Sequence, residues 1–384
     1  MNNRKKRGYI ESLIGKIFIL SLFLILIINM LVPSKETSEE ENRVLEQRPD
    51  LTMGSVMNGG FMEQWESYMS DQFAGRNLWR SVKVALSRFG GSKMENGVFI
   101  GKDGQLLEDI SVPEDEQFSE NVGAVKSFAE TYEDVPVTVM LVPDAACILN
   151  DSLPAFATVE DQRQMFSMVE RQLGDSVSWI DTVSILNKQK SKKLYYKTDH
   201  HWTTQAAFYV FQEAAPAFGI EEDVSDDFVS YTVTDSFNGV LASKSGVNLD
   251  EKEKIDIYVP ATGDDDVIVT YVDEAKKRTS LYDSSKLETR DKYGVFLGGN
   301  TSVIDIKTVS TSKDRLLIVK DSFADCFIPF LTPYFREIVV VDPRYYSGTL
   351  AEIMNTYRIT DTLILYSGNT FFTDNNISGV FTGE

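Results

Sequence analysis

The chain has 384 residues, 42% of them hydrophobic and 11% aromatic, which is enough apolar material for a packed core and argues against disorder over most of its length. A formal net charge of −20 argues against a nucleic-acid partner, because there is no basic excess to neutralise phosphates, and gives no attraction to anionic wall polymers. The length beyond Val32 passes the size at which one core ordinarily suffices, so one large domain with an insertion, or two domains, is expected.

Arg4, Lys5, Lys6 and Arg7 precede a stretch from Leu13 to Val32 that only Gly15, Lys16, Ser21 and Asn29 interrupt. A helix of about 20 residues crosses the hydrocarbon layer of a bilayer. Basic residues before it and the acidic Glu36, Glu39, Glu40 and Glu41 after it orient the N-terminus toward the cytoplasm. A cleaved signal peptide shares this pattern, but INMLVPSK at 28–35 lacks the small residues that flank a cleavage site. The expectation is therefore a cytoplasmic basic end and transmembrane anchor over 1–32, crossing the membrane through 13–32, with the bulk of the chain extracytoplasmic.

Residues 33–60 read as a polar, turn-rich stalk, with Pro33, Pro49, Gly54 and the pair Gly59-Gly60. One domain is expected over 61–384. It begins with a helical segment at 61–88, whose apolar residues fall at three- and four-residue spacing and predict a packing face. GVFIGKDGQLL at 97–107 predicts a hairpin turning at Asp103-Gly104. Helices are predicted at 119–132, 160–173 and 203–218, alternating with a buried strand at 135–142 and a short one at 177–181, the pattern of an α/β layer structure. Residues at about 223–308 break the rhythm as a β-rich insertion, including a strand at 293–297. Strands at 315–319, 337–341 and 362–366 and a short helix at 323–332 complete the reading.

Two cysteines, Cys147 and Cys326, leave pairing open: an oxidising compartment permits a bridge, and buried free thiols are an equal alternative. The only two histidines are adjacent, in Thr198-Asp199-His200-His201-Trp202, so a general base working near neutral pH is expected there. In an extended segment Asp199 and His201 point the same way and His200 points elsewhere. That is the carboxylate-orients-imidazole half of a catalytic triad. Ser322 follows a predicted strand and precedes a predicted helix, a place for a nucleophile beside backbone amides, while an ordinary helix N-cap is the plainer alternative. Gly299 and Asn300 read equally as oxyanion donors or as a β-turn. Adjacent histidines seldom share one ion and no HExxH spacing is present, so no metal is expected. Walker and dinucleotide glycine patterns are missing as well, and no cofactor is expected.

The strings DQFAGR at 71–76, TDHHW at 198–202, YGVFLGGN at 293–300, KDSFADCFIPFL at 320–331 and DPRYY at 342–346 resemble the bacterial DHHW family, itself similar to the SGNH-hydrolase-like proteins of alginate O-acetylation. The resemblance implies an SGNH-hydrolase-like layered α/β sheet. It places an Asp-x-His element on Asp199 and His201 and the serine on Ser322, with His200 and Trp202 secondary. A clear Gly-Asp-Ser block is missing, Lys320-Asp321-Ser322 standing instead, so the Gly299 and Asn300 transfer is loose. The resemblance further implies a serine O-acyltransferase acting on a cell-surface polysaccharide, with acetyl as the inherited group and a multi-pass membrane acyltransferase as acyl source. A carbohydrate esterase and a non-catalytic polysaccharide-binding or scaffold protein, with Tyr345-Tyr346 and Phe371-Phe372 as stacking candidates, are the alternatives.

Overall fold

The computed structural model describes residues 3–38, 43–113, 115–247, 252–263 and 266–383; the acidic residues Glu39, Glu40 and Glu41 of the orienting run lie outside them. The chain divides into two compact units, Met1–Ser92 and Lys93–Glu384. The segment 61–92, expected in the large domain, belongs to the N-terminal unit.

In that unit α1 (Asn3–Leu31) is continuous, and its part Glu11–Leu31 is long and apolar enough to cross a membrane. The segment 61–88 is not one helix. It forms α2 (Gly60–Asp71) and α3 (Arg76–Phe89), separated where Gly75 adopts φ 71°. The first helix ends at Asp71, and the left-handed backbone at Gly75, the N-cap of α3, turns the chain into the second. The expected packing face, Phe61, Trp65, Tyr68, Met69 and Phe73, is half-buried, with Trp65 against Phe61 and Tyr68, whereas on α3 the apolar side chains Leu78, Trp79, Leu86 and Phe89 are exposed.

The second unit opens with a three-stranded antiparallel ribbon, Met94–Glu95, Val98–Ile100 and Leu106–Glu108. Its second turn is at Asp103-Gly104, both with positive φ, as a tight hairpin requires. Helix α4 (Asp115–Thr131) leads to β1 (Val137–Val142), every residue of which is buried. There follow α5 (Gln162–Leu173), β2 (Ser178–Trp179), α6 (Thr182–Lys188) and α7 (Thr204–Ala214).

The expected β-rich insertion proves to have two fates. Its first half is a separate antiparallel ribbon of β3 (Phe228–Phe237) and β4 (Glu253–Pro260). Its second half supplies β5 (Val267–Tyr271), β6 (Lys276–Arg278) and β7 (Val303–Thr308), which extend the main sheet. Residues 293–297 are not a strand: Lys292–Val295 forms a 3-10 turn, and Phe296 makes a single bridge to Tyr282.

Strands β8 (Arg315–Lys320), β9 (Glu337–Val341) and β10 (Asp361–Ser367) close an eight-stranded sheet of order β6-β5-β7-β9-β8-β10-β1-β2. From β9 to β2 the neighbours run parallel, and β7, β5 and β6 add antiparallel pairs at one side. The central strands hold continuous apolar runs such as LLIV at 316–319 and IVVV at 338–341 because helices and loops cover both faces, so no alternation with water is needed. Parallel pairing puts the carboxyl ends of β1, β10, β8 and β9 on one edge, where Asp144, Ser367, Asp321-Ser322 and Asp342 emerge. In open α/β sheets such an edge is where ligands bind.

Candidate active site

Ser322 leaves the sheet two residues after Lys320, the last residue of β8. The predicted helix at 323–332 is instead two 3-10 turns, Ser322–Ala324 and Ile328–Leu331. The buried Asp321 fixes the first. Its Oδ1 accepts from the Phe323 amide at 2.9 Å, and its Oδ2 accepts from the Ser367 amide at 3.0 Å and from the Ser367 hydroxyl at 2.8 Å. One carboxylate thus ties the serine turn to the end of β10. Since Asp321 takes the Phe323 amide, the Ser322 amide is the turn's first N–H without a hydrogen-bond partner among the described residues.

The histidine segment is a bend between two paired residues, Tyr195 and Trp202, rather than an extended strand. Asp199 and His201 still meet, by a different route: the Asp199 Oδ1 accepts from the His201 amide at 3.0 Å and lies 2.6 Å from His201 Nδ1. On the far side of the ring, His201 Nε2 is 2.8 Å from the Ser322 Oγ. The carboxylate accepts a hydrogen bond from Nδ1–H, which fixes the tautomer and leaves the Nε2 lone pair for the serine hydroxyl. His201 stacks on Tyr293, ring centroids 3.8 Å apart and planes 11° apart, with Phe323 at 5.1 Å.

His200 does not turn away from the site. Its ring lies 4.0 Å from that of His201, and its Nδ1 is 3.8 Å from Asp199 Oδ1. Trp202 is wholly buried, and its indole N–H donates to the Phe323 carbonyl at 2.9 Å, joining the histidine bend to the serine turn.

Burial sets the electrostatics. It lowers the His201 imidazole below its ordinary value, and the neighbouring His200 pushes the same way against the raising pull of Asp199. Burial alone would raise Asp199; the two imidazoles and the hydrogen bonds from His201 outweigh it and hold the carboxyl well below the usual carboxylate range. The resting pair is an ionised Asp199 and a neutral His201.

Several residues that the sequence reading passed over hold Asp199. Its Oδ2 accepts from the Val240 amide at 2.8 Å, and Gly239 lies against it so closely that an added methyl would overlap its Cβ and Oδ2. The buried Glu253 accepts from the Lys197 and Thr198 amides, each at 2.9 Å, and from the Thr198 hydroxyl at 2.7 Å. The β3-β4 region, the first half of the expected β-rich insertion, is therefore the frame of the histidine bend. The one sequence signal was Gly239 itself, a glycine where neither turn nor left-handed backbone requires one, since its φ is −83°.

Of the oxyanion candidates, the Gly299 amide already donates to Phe296 O at 3.2 Å. The Asn300 Oδ1 accepts from Lys320 Nζ at 2.9 Å, which leaves its NH2 group as the donor. Lys320 is buried, with Asp325 at 2.7 Å and Asp342 at 3.5 Å, and Arg344 grips the same Asp342 through two bonds of 2.9 and 2.7 Å. Cys147 and Cys326 are both buried and unpaired. Among the described residues, Asp199, His200 and His201 form one group whose ligand atoms lie within 4.8 Å of one another, but the Asp199 Oδ1 is engaged by the His201 ring and amide, with which an ion would compete.

A family model described as DHHW protein matches residues 116–341, a span that contains Asp199, His201 and Ser322. The chain belongs to the DHHW family. The DHHW string is here Asp199 to Trp202, which supplies the carboxylate, the imidazole and the indole tie to the serine turn. Among solved structures, a DHHW family protein from Eubacterium siraeum is similar at TM-score 0.64 and 21% identity, over 76% of this chain and 96% of that one. Bacillus cereus PatB1 is similar at TM-score 0.62 and 19% identity, over 72% and 98%, and has also been solved with a sulfonyl adduct. The O-acetyltransferase domain of Pseudomonas putida AlgJ follows at TM-score 0.49 and 14% identity, over 75% and 99%. The first two likenesses show that the chain shares its fold with those proteins. A comparison with curated proteins finds no match.

Proposed function

We propose that this DHHW protein is a membrane-anchored, extracytoplasmic serine O-acyltransferase that modifies a cell-surface polysaccharide, with acetyl as the group. The observation that carries the reading is the hydrogen-bonded line from Asp199 through His201 to the Ser322 oxygen, at 2.6 and 2.8 Å. In this reading Ser322 Oγ attacks the acyl carbonyl while His201 Nε2 takes its proton. The proton then passes to the departing donor group, leaving the acyl ester on Ser322. An acceptor hydroxyl attacks that ester, gives its proton to His201, and releases the serine. Asp199 stays ionised and steadies the imidazolium. The Ser322 amide and the Asn300 NH2 are the donors offered to the oxyanion. The apolar helix Glu11–Leu31 supports anchoring, with the N-terminus cytoplasmic by the charge asymmetry. A multi-pass membrane acyltransferase is the proposed acyl source.

Water in place of the sugar hydroxyl would make the protein an esterase. For the binding-module alternative, Phe371 and Phe372 offer nothing, since both are buried in the core, while Tyr345 is exposed. The test is turnover of an aryl acetate with and without an oligosaccharide acceptor. Acylated sugar formed at the expense of free acetate supports transfer, unchanged acid release means an esterase, and glycan binding with equal inactivity of wild type and Ser322→Ala leaves only the binding module.

A further inference from the structure

Helix α3 carries an apolar face that its own unit leaves open. Successive residues of a helix turn by about 100°, so Leu78, Trp79, Val82, Leu86 and Phe89 share one arc of about 100°. All five are between 41% and 93% exposed, whereas Val84, on the opposite side, is buried. The helix holds four basic residues and no acidic one, in a chain whose net charge is −20. Lys83 borders the arc on one side and Arg88 stands further round on the other, while Arg76 is held by Asp71 at 3.6 Å and the Ser70 carbonyl at 3.1 Å. An apolar arc flanked by cations matches the two layers of a bilayer surface, acyl chains below and anionic headgroups at the rim.

A second observation fixes where this helix begins. The Ala74 amide, two residues before α3, donates to Asn29 Oδ1 at 2.8 Å, and Asn29 lies two residues from the end of α1. The chain just past α1 is tied in the same way, the Lys35 amide donating to Gln72 Oε1 and Gln72 Nε2 to Lys35 O, each at 2.8 Å. The start of α3 is therefore held at the level where the apolar helix ends. We propose that α3 lies in the membrane–water interface, with Leu78, Trp79, Val82, Leu86 and Phe89 among the acyl chains and its basic flanks on anionic headgroups. The proposal rests on the reading of Glu11–Leu31 as a membrane span, and adds a second attachment beside it.

The test uses the full chain in vesicles of phosphatidylcholine and phosphatidylglycerol, with a nitroxide at Phe89→Cys. The two native cysteines are buried, so the introduced thiol reacts. Collision with dissolved oxygen, enriched in lipid, is compared with collision with a water-soluble nickel complex. Labels at Ile19→Cys in the span and at the exposed Lys126→Cys on α4 give the lipid and water limits. The expected oxygen-to-nickel ratio at Phe89 is several-fold above that at Lys126 and close to that at Ile19. Nickel access equal to Lys126, with Ile19 still lipid-like, overturns the interfacial helix and leaves the span standing. Low collision with both reagents means the face is packed on protein, and also overturns it. Nickel access at Ile19 removes the span, and the proposal with it.

Discussion

Gly239 lies directly against the Asp199 side chain, with no room between them for a methyl group. The carboxylate that orients His201 is thus positioned by a backbone from the β3-β4 region, through the close approach of Gly239 and the amide of Val240. Gly239→Ala should push Asp199 off the imidazole. A displacement of the order of 1 Å at a catalytic group costs about 10²-fold, so kcat on an aryl acetate should drop by that scale while KM changes little. Steady-state kinetics check this, with circular dichroism to confirm that the variant is folded.

The pH dependence follows from His201. Burial and His200 lower its pKa below the ordinary value of about 6.5. The base form is the neutral one, so activity is full above that value and is lost only as pH falls through the lowered folded-state pKa. The acid limb of kcat/KM should have its midpoint below about 6.5. Stability moves the same way: between the ordinary and the lowered value the unfolded chain binds the extra proton, so acidification destabilises the fold there. An acid limb centred above that ordinary value would contradict the assignment.

Lys320 neutralises a buried acidic cluster beneath the serine turn. Asp325, pushed up to about 6 by burial even with Lys320 lowering it, and Asp342 both face the ammonium group. Removing one partner of a buried ion pair costs about 3–5 kcal/mol. Lys320→Met should lose stability on that scale in urea unfolding, and adding Asp325→Asn should recover part of it.

Trp202→Phe keeps one aromatic ring, deletes the indole bond to the Phe323 carbonyl and leaves a cavity in the core where the second ring was. A single buried hydrogen bond of this kind contributes about 1 kcal/mol. The cavity adds to this, so the expected outcome is a loss larger than that in unfolding free energy, with ester turnover reduced less than at Gly239→Ala.

Much of this was legible in the residues. Apolar runs such as EIVVV at 337–341 are strands because they can be buried on both faces, and the structure reproduces that one to the residue. The rarity of histidine drew attention to Asp199 and His201, and the strand-to-turn position to Ser322. What stayed hidden is a local bend and a set of contacts distant in sequence. An extended segment would point His200 away, but the bend closed by Tyr195 and Trp202 brings it beside His201. Residues 293–297 have strand-like composition, yet Tyr293 is used as a stacking plate under the imidazole. Glu253 and Gly239 act through partners some 40 to 55 positions away, which no local pattern shows.

The central claim is that Ser322 carries the acyl group, and intact-mass analysis after brief exposure to an activated acetyl ester tests it most directly. The account predicts one added acetyl, mapped by peptide sequencing to Ser322, absent from Ser322→Ala and formed about 10³-fold or more slowly in His201→Ala. Ester turnover by Ser322→Ala at the wild-type rate, or the acetyl group mapped to another residue, would contradict it.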